Sequence, residues 1–210
     1  MEKIRINFCS SNKHKYREVA AILGDQFDLI HRPVEVPEIQ GEARDILMRK
    51  LADAYAVVKE PCIVEDVSLC FNAFNGLPGP YIKDFLTKMG SNALYKALEN
   101  FEDKTASAIC TIGYADENVI EIFQGIVKGK IVEPREKEAF GWLGTTQTIT
   151  QPDRDGIFEV DGTGKTYNEM GEEEKNKISH RFHAVNKLKV CCQLYKAHPI
   201  QNYIMELHKK

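Results

Sequence analysis

The chain has 210 residues, 43% of them hydrophobic and 28% charged, with a formal net charge of -3 at pH 7 and a pI near 6.1. That size and balance suit one globular domain over residues 1–210 and exclude a protein whose main task is to neutralise a nucleic-acid backbone or an anionic membrane, although a local basic pocket is compatible with it. No apolar run approaches the roughly 20 residues that span a bilayer and the start lacks the apolar segment of a secretory signal, so a cytoplasmic protein that binds neither nucleic acid nor membrane is expected.

In chain order, Ile4, Ile6 and Phe8 alternate with polar residues and predict a first strand, followed by the turn Ser10-Ser11-Asn12. A helix follows, with Tyr16, Val19, Ala20 and Leu23 on one face and Gly24 at its end. Phe27 to His31 reads as a second short strand. The polar loop from Val36 to Glu42 leads into a long helix carrying Ile46, Leu47, Leu51, Ala54, Val57 and Val58. Cys62-Ile63-Val64 is a buried strand that the acids Glu65 and Asp66 bring to an end. This β-α-β-α-β order predicts an α/β fold with a partly parallel sheet.

After the Gly/Pro-rich loop, Tyr81, Phe85, Leu86 and Met89 mark a helix, and 92–98 a second short one. Strands over 106–114 and 119–126 flank the hairpin-like turn Asp116-Glu117-Asn118, and 129–132 reads as a further strand, making the sheet mixed. Ser179 is a natural N-cap for a helix that turns Phe182, Val185, Leu188 and Cys192 inward. Ile200, Tyr203, Ile204 and Leu207 recur at i, i+3, i+4, i+7, predicting an extra amphipathic helix near 198–208.

Six cysteines form no CxxC pair and read as reduced packing residues; zinc at Cys191-Cys192 is disfavoured because neighbouring helical side chains diverge. His183 lies three residues from His180, but no further ligand accompanies the pair. Gly162-Thr163-Gly164-Lys165-Thr166 is not a P-loop, since Glu159 stands where that pattern needs glycine, and Asp161-Gly162 reads as a hairpin turn. Asp153-Arg154-Asp155-Gly156 lacks the spacing of a calcium loop.

The chemistry concentrates elsewhere. Turnover of a nucleoside triphosphate needs carboxylates to hold magnesium and cations to offset phosphate charge. Glu38, Glu65 and Asp66 are candidate acids. Lys13 and Lys15 open the first helix, whose N-terminal amides, with Ser10, Ser11 and Asn12, form a candidate phosphate seat. Lys50 lies on the next helix.

Four segments carry a resemblance: Ser10-Ser11-Asn12-Lys13-His14-Lys15, Val64 to Lys83, Phe140-Gly141-Trp142, and Lys175-Asn176-Lys177-Ile178-Ser179-His180-Arg181. They are similar, in matching order, to the motifs of the inosine triphosphate pyrophosphatase (HAM1-like) family. The resemblance implies an elongated, twisted mixed sheet flanked by helices, with two lobes and a central nucleotide cleft. It implies magnesium (or manganese) on Glu38, Asp66 and Glu65, with Asp66 as general base for the attacking water. Ser10, Ser11, Asn12, Lys13, Lys15, Lys50 and Lys175 would bind phosphate, and Phe140, Gly141, Trp142, Asp155, His180 and Arg181 the base. ITP, dITP and XTP would yield monophosphate and pyrophosphate, and a homodimer is implied.

Two departures stand out. Val67 occupies the place of the usual threonine beside the aspartate. Residues 143–154 are inserted after Trp142, so Leu143 stands where the motif has its aspartate, and Asp155 is the better replacement. Two rivals follow: the same fold acting on modified or pyrimidine triphosphates, and a nucleotide-binding protein without turnover.

Overall fold

The computed structural model describes residues 3–135 and 154–197. Among the described residues seven strands, β1 (Ile4–Cys9), β2 (Phe27–Arg32), β3 (Cys62–Phe71), β4 (Pro78–Gly79), β5 (Thr105–Ala115), β6 (Ile120–Ile131) and β7 (Phe158–Val160), form one mixed sheet in the order β2-β1-β3-β5-β6-β7, with β4 on β3, flanked by helices. The chain divides into two compact units, one made of Met1–Glu65, Thr111–Gly125 and Arg181–Lys210, the other of Asp66–Cys110 and Ile126–His180. Among the described residues no helix is long and apolar enough to cross a membrane.

In the first unit, β1 (Ile4–Cys9) pairs in parallel with β2 (Phe27–Arg32) from Ile4↔Phe27 to Cys9↔Arg32, and with β3 (Cys62–Phe71) at Asn7↔Cys62. The alternating β and α segments of the sequence dictate this, because parallel neighbours need a long crossover. The crossovers are α1 (Lys13–Leu23) and α2 (Ala43–Val58). α2 turns Leu47, Leu51 and Ala54 onto Cys9, Cys62 and Val64, all of them buried. Burial of each such leucine is worth about 1.5–3 kcal/mol. The Asp116 turn forms as its sequence predicts: the carboxylate accepts from the amides of Asn118 (2.8 Å) and Val119 (2.9 Å) and from the Tyr114 hydroxyl (2.7 Å). Burial, and after it this bond, push the Tyr114 hydroxyl above its ordinary pKa.

In the second unit, β4 (Pro78–Gly79) returns antiparallel on β3 at Leu69↔Gly79. The two helices expected after it are the halves of α3 (Ile82–Ala97), broken at Gly90, whose φ of 78° a side chain would resist. Leu86 and Leu94, one from each half, share a core with Phe71, Ile131, Phe158 and Tyr167. β6 (Ile120–Ile131), which follows β5 (Thr105–Ala115), pairs antiparallel with β7 (Phe158–Val160). The separate strand expected at 129–132 is therefore the end of β6, whose Gly129, Lys130 and Ile131 find their partners in Val160, Glu159 and Phe158 of β7. A Cβ there would stand 2.2 Å from the Glu159 carbonyl oxygen, so the glycine permits the approach.

After β7, Val160 N–H donates to the Lys165 carbonyl (3.0 Å) around Gly162, so the glycine-rich segment is a turn. Arg135 reaches across it to Glu159 (2.6 Å), Glu169 (3.0 Å) and the Gly164 carbonyl (3.0 Å). α4 (Glu172–Ile178) went unread in the sequence, its seven residues having no buried face to give a period. Ser179, with extended backbone, separates it from α5 (His180–Ala197), on which Val185, Leu188 and Cys192 are buried as expected while Phe182 is only half-buried. All six cysteines are free. The inserted residues through Asp153, and the helix expected near 198–208, lie outside the described residues.

Candidate active site

The phosphate-loop candidates are fixed by one side chain. Asn12 caps α1, its Oδ1 accepting from the amides of His14 (2.9 Å) and Lys15 (3.1 Å), while its own N–H donates to Ser10 Oγ (3.1 Å). The first turn of α1 is thus held by its N-cap rather than open on all sides. Ser11 and Lys13 are exposed beside it.

Lys15 points from that turn at Glu65, 3.5 Å from Nζ to Oε1. Glu65 is 2% exposed and accepts two bonds from Arg181, from Nε at 2.9 Å and from Nη2 at 2.7 Å, a bidentate pair. Arg181 Nη1 donates to Glu18 on α1, and Glu18 also meets His14 at 3.5 Å. The result is an alternating chain of charges. Arg181 is 3% exposed, and burial lowers its pKa to about 10, which still leaves it a cation at neutral pH between its two carboxylates.

The strand does not end at the acids. β3 runs on to Phe71, placing Glu65 and Asp66 at its fourth and fifth residues. The sequence reads as an end there because a buried glutamate is costly alone; Arg181, 116 residues away, removes that cost. Successive strand side chains point to opposite faces, so the two acids do not share one direction. Asp66 is half-buried. Elsewhere in the first unit, Lys50 of α2 pairs with Glu38 at 3.2 Å, with Glu38 50% exposed.

In the second unit Lys175 meets Asp155 at 2.6 Å and lies 5.8 Å over the Tyr167 ring. The Tyr167 ring meets that of His180 at 5.7 Å with the planes tilted by 37°, and Phe158 lies against Tyr167 at 5.6 Å. His180 is fully buried. The structure therefore brings together Lys15, Glu65 and Arg181, joins Glu38 to Lys50, and joins Asp155 to Lys175. Phe140, Gly141 and Trp142 lie outside the described residues. Among the described residues no three His, Cys, Asp or Glu side chains are grouped as ligands for a metal.

Sequence reading missed Glu18 and Tyr167. Glu18 follows Lys15 by three, a helical spacing that puts both on one face, and that signal was available. Tyr167 had no local signal, since its role depends on Lys175 and His180.

Comparison with known proteins gives a consistent picture. The Ham1 family model matches residues 6–191. The inosine triphosphate pyrophosphatase of Schizosaccharomyces pombe is 40% identical over 186 residues, 88% of this chain and 93% of that one. That of Ajellomyces capsulatus is 44% identical over 186 residues, 88% of this chain and 94% of that one. A HAM1 protein structure from Coxiella burnetii superposes with a TM-score of 0.74 at 25% identity, covering 90% of this chain and 98% of that one.

Proposed function

The chain belongs to the Ham1 family, and from that premise we propose that it hydrolyses noncanonical purine nucleoside triphosphates, ITP, dITP and XTP, to the monophosphate and pyrophosphate in the cytoplasm. The observation that carries the reading is Lys15 against Glu65. Lys15, in the first turn of the phosphate-loop helix, pairs with the buried Glu65, which supports reading this loop as the seat of the polyphosphate.

Magnesium takes one or two carboxylates and completes its shell with water and substrate phosphate, so a cage of three protein ligands is not required. Glu38 and Asp66, each partly open to solvent, fit that mode; Glu65, with both oxygens on Arg181, fits a positioning role instead. The metal would supply charge to the phosphates and orient them.

The chain's own groups do the rest. Asp66 accepts the proton of the attacking water. Lys13, Lys15, Lys50 and Lys175, with the loop of Ser10, Ser11 and Asn12, meet the charge that builds on the leaving pyrophosphate. By the family motifs, Asp155, which pairs with Lys175, and His180 would meet the base together with Phe140, Gly141 and Trp142. A desolvated site that hydrogen-bonds a 6-keto group leaves a 6-amino purine unpaired, which disfavours ATP. Exposed Leu77, Phe85 and Met89 fit pairing with a second copy.

The test is pyrophosphate release with magnesium across ITP, XTP, dITP, GTP, ATP, UTP and dUTP, on wild type and Asp66→Asn. Release from the first three should dominate, and the variant should lose about 10²–10⁴-fold in kcat while staying folded. Binding without release from any nucleotide would mean a sensor; a pyrimidine preference would mean altered specificity.

A further inference from the structure

We propose that His31 is a positioning residue for the phosphate loop: it fixes Ser10, and through Ser10 and Asn12 the first turn of α1. The proposal rests on the reading that this loop grips the polyphosphate.

His31 lies at the fifth residue of β2, away from every motif that marks the site in the sequence. Its Nε2 stands 2.6 Å from the Ser10 carbonyl oxygen. A carbonyl only accepts, so Nε2 carries the proton and donates. Ser10 is held from the other side by its own N–H, which donates to the Arg32 carbonyl at 3.0 Å. The residue that leaves β1 is thereby pinned on both of its peptide groups by consecutive residues of β2.

The pinning passes along the loop. Ser10 Oγ accepts from Asn12 N–H at 3.1 Å, and Asn12 Oδ1 accepts from the amides of His14 and Lys15. The imidazole is fixed in turn. Tyr16 of α1 stacks on it, with ring centroids 4.8 Å apart and planes at 26°, and the Tyr16 hydroxyl donates to the Leu29 carbonyl at 3.2 Å. One ring therefore joins β2, the loop and α1, and its proton goes to the backbone that aims Ser10 and Asn12. Preorganised donors are worth most when nothing must be ordered as the polyphosphate arrives.

The experiment compares His31→Phe, which keeps the stack and removes the donor, with His31→Gln, whose amide nitrogen can reoccupy the place of Nε2. KM and kcat for ITP, inhibition by pyrophosphate, and Tm are measured, with Asn12→Ala and Lys15→Ala as loop controls. His31→Phe should raise KM and the pyrophosphate inhibition constant about three- to tenfold with kcat within about twofold, and His31→Gln should restore both constants. A loss confined to kcat or Tm, unmoved constants, or a glutamine variant no better than phenylalanine overturns the proposal. If the loop controls raise both constants while His31→Phe does not, only the role of His31 falls. If the controls leave them unmoved, the loop does not bind the polyphosphate and both readings fall.

Discussion

Glu65 shows how far one side chain's meaning depends on its partner. As the neighbour of Asp66 it reads as a metal ligand; with Arg181 on both oxygens and Lys15 at 3.5 Å it is the anion that makes a buried guanidinium tolerable. The two roles predict different failures. Glu65→Gln leaves the shape but sets an amide against Arg181, and breaking a buried pair by removing one partner costs about 3–5 kcal/mol. For a chain of this size that lowers Tm by roughly 6–20 °C. Thermal unfolding without metal, and the magnesium concentration giving half-maximal rate, separate the cases. A large drop in Tm with little change in magnesium requirement supports the structural role. An unchanged Tm with a much raised requirement would return Glu65 to the metal.

At the scale of elements, Gly129 is a position where β6 leaves no room for a side chain against β7, and it sits in the stretch of β6 that the sequence presents as a strand of its own. Gly129→Ala must displace both the Glu159 carbonyl, 2.2 Å from the new Cβ, and the Phe158 ring beside it at 2.7 Å. Overpacking of this kind costs about 1–3 kcal/mol. Because Phe158 packs on Tyr167, and Tyr167 on His180, the expected outcome is a lower Tm together with weaker ITP binding. A fully stable variant with wild-type KM would show that β7 yields freely.

The same elements show what the sequence could express. β1, α1, α2, the Gly90 break and the Asp116 turn were legible because each rests on local period or turn chemistry. The run of β3 through Glu65 and Asp66, and of β6 through Gly129, was not, because each depends on a distant partner: Arg181 for one, β7 for the other. In the candidate site, motifs of matching order single out Asn12, Lys15, Asp66, Lys175 and Arg181, of which Lys15 and Arg181 meet on Glu65 and Lys175 meets Asp155. Glu18, Tyr167 and His31 were not picked out, since what gives them meaning is the residue each one touches.

For the whole molecule, 31 Asp and Glu oppose 28 Lys and Arg, so acid converts a nearly balanced chain into a strongly cationic one. Specific carboxylates set where this begins. Lys130, then Arg135, holds Glu159 below the ordinary glutamate value of 4.5, and the Thr166 amide, then Arg135, does the same for Glu169. A carboxylate with a depressed folded pKa contributes stability that is present above its unfolded value and is lost as pH falls through the folded one. Tm should therefore change little from pH 7 to about 5 and fall progressively below about 4.5. Glu169 is 35% exposed, so solvent screening keeps its share modest. Arg135→Met tests the assignment. It should lower Tm at pH 7 and flatten the acid limb, so that the two curves converge at the acid end, once pH has fallen through the depressed folded values and the carboxylates have lost their charge in both proteins. Parallel curves would place the acid sensitivity in other carboxylates and leave Arg135 as packing alone.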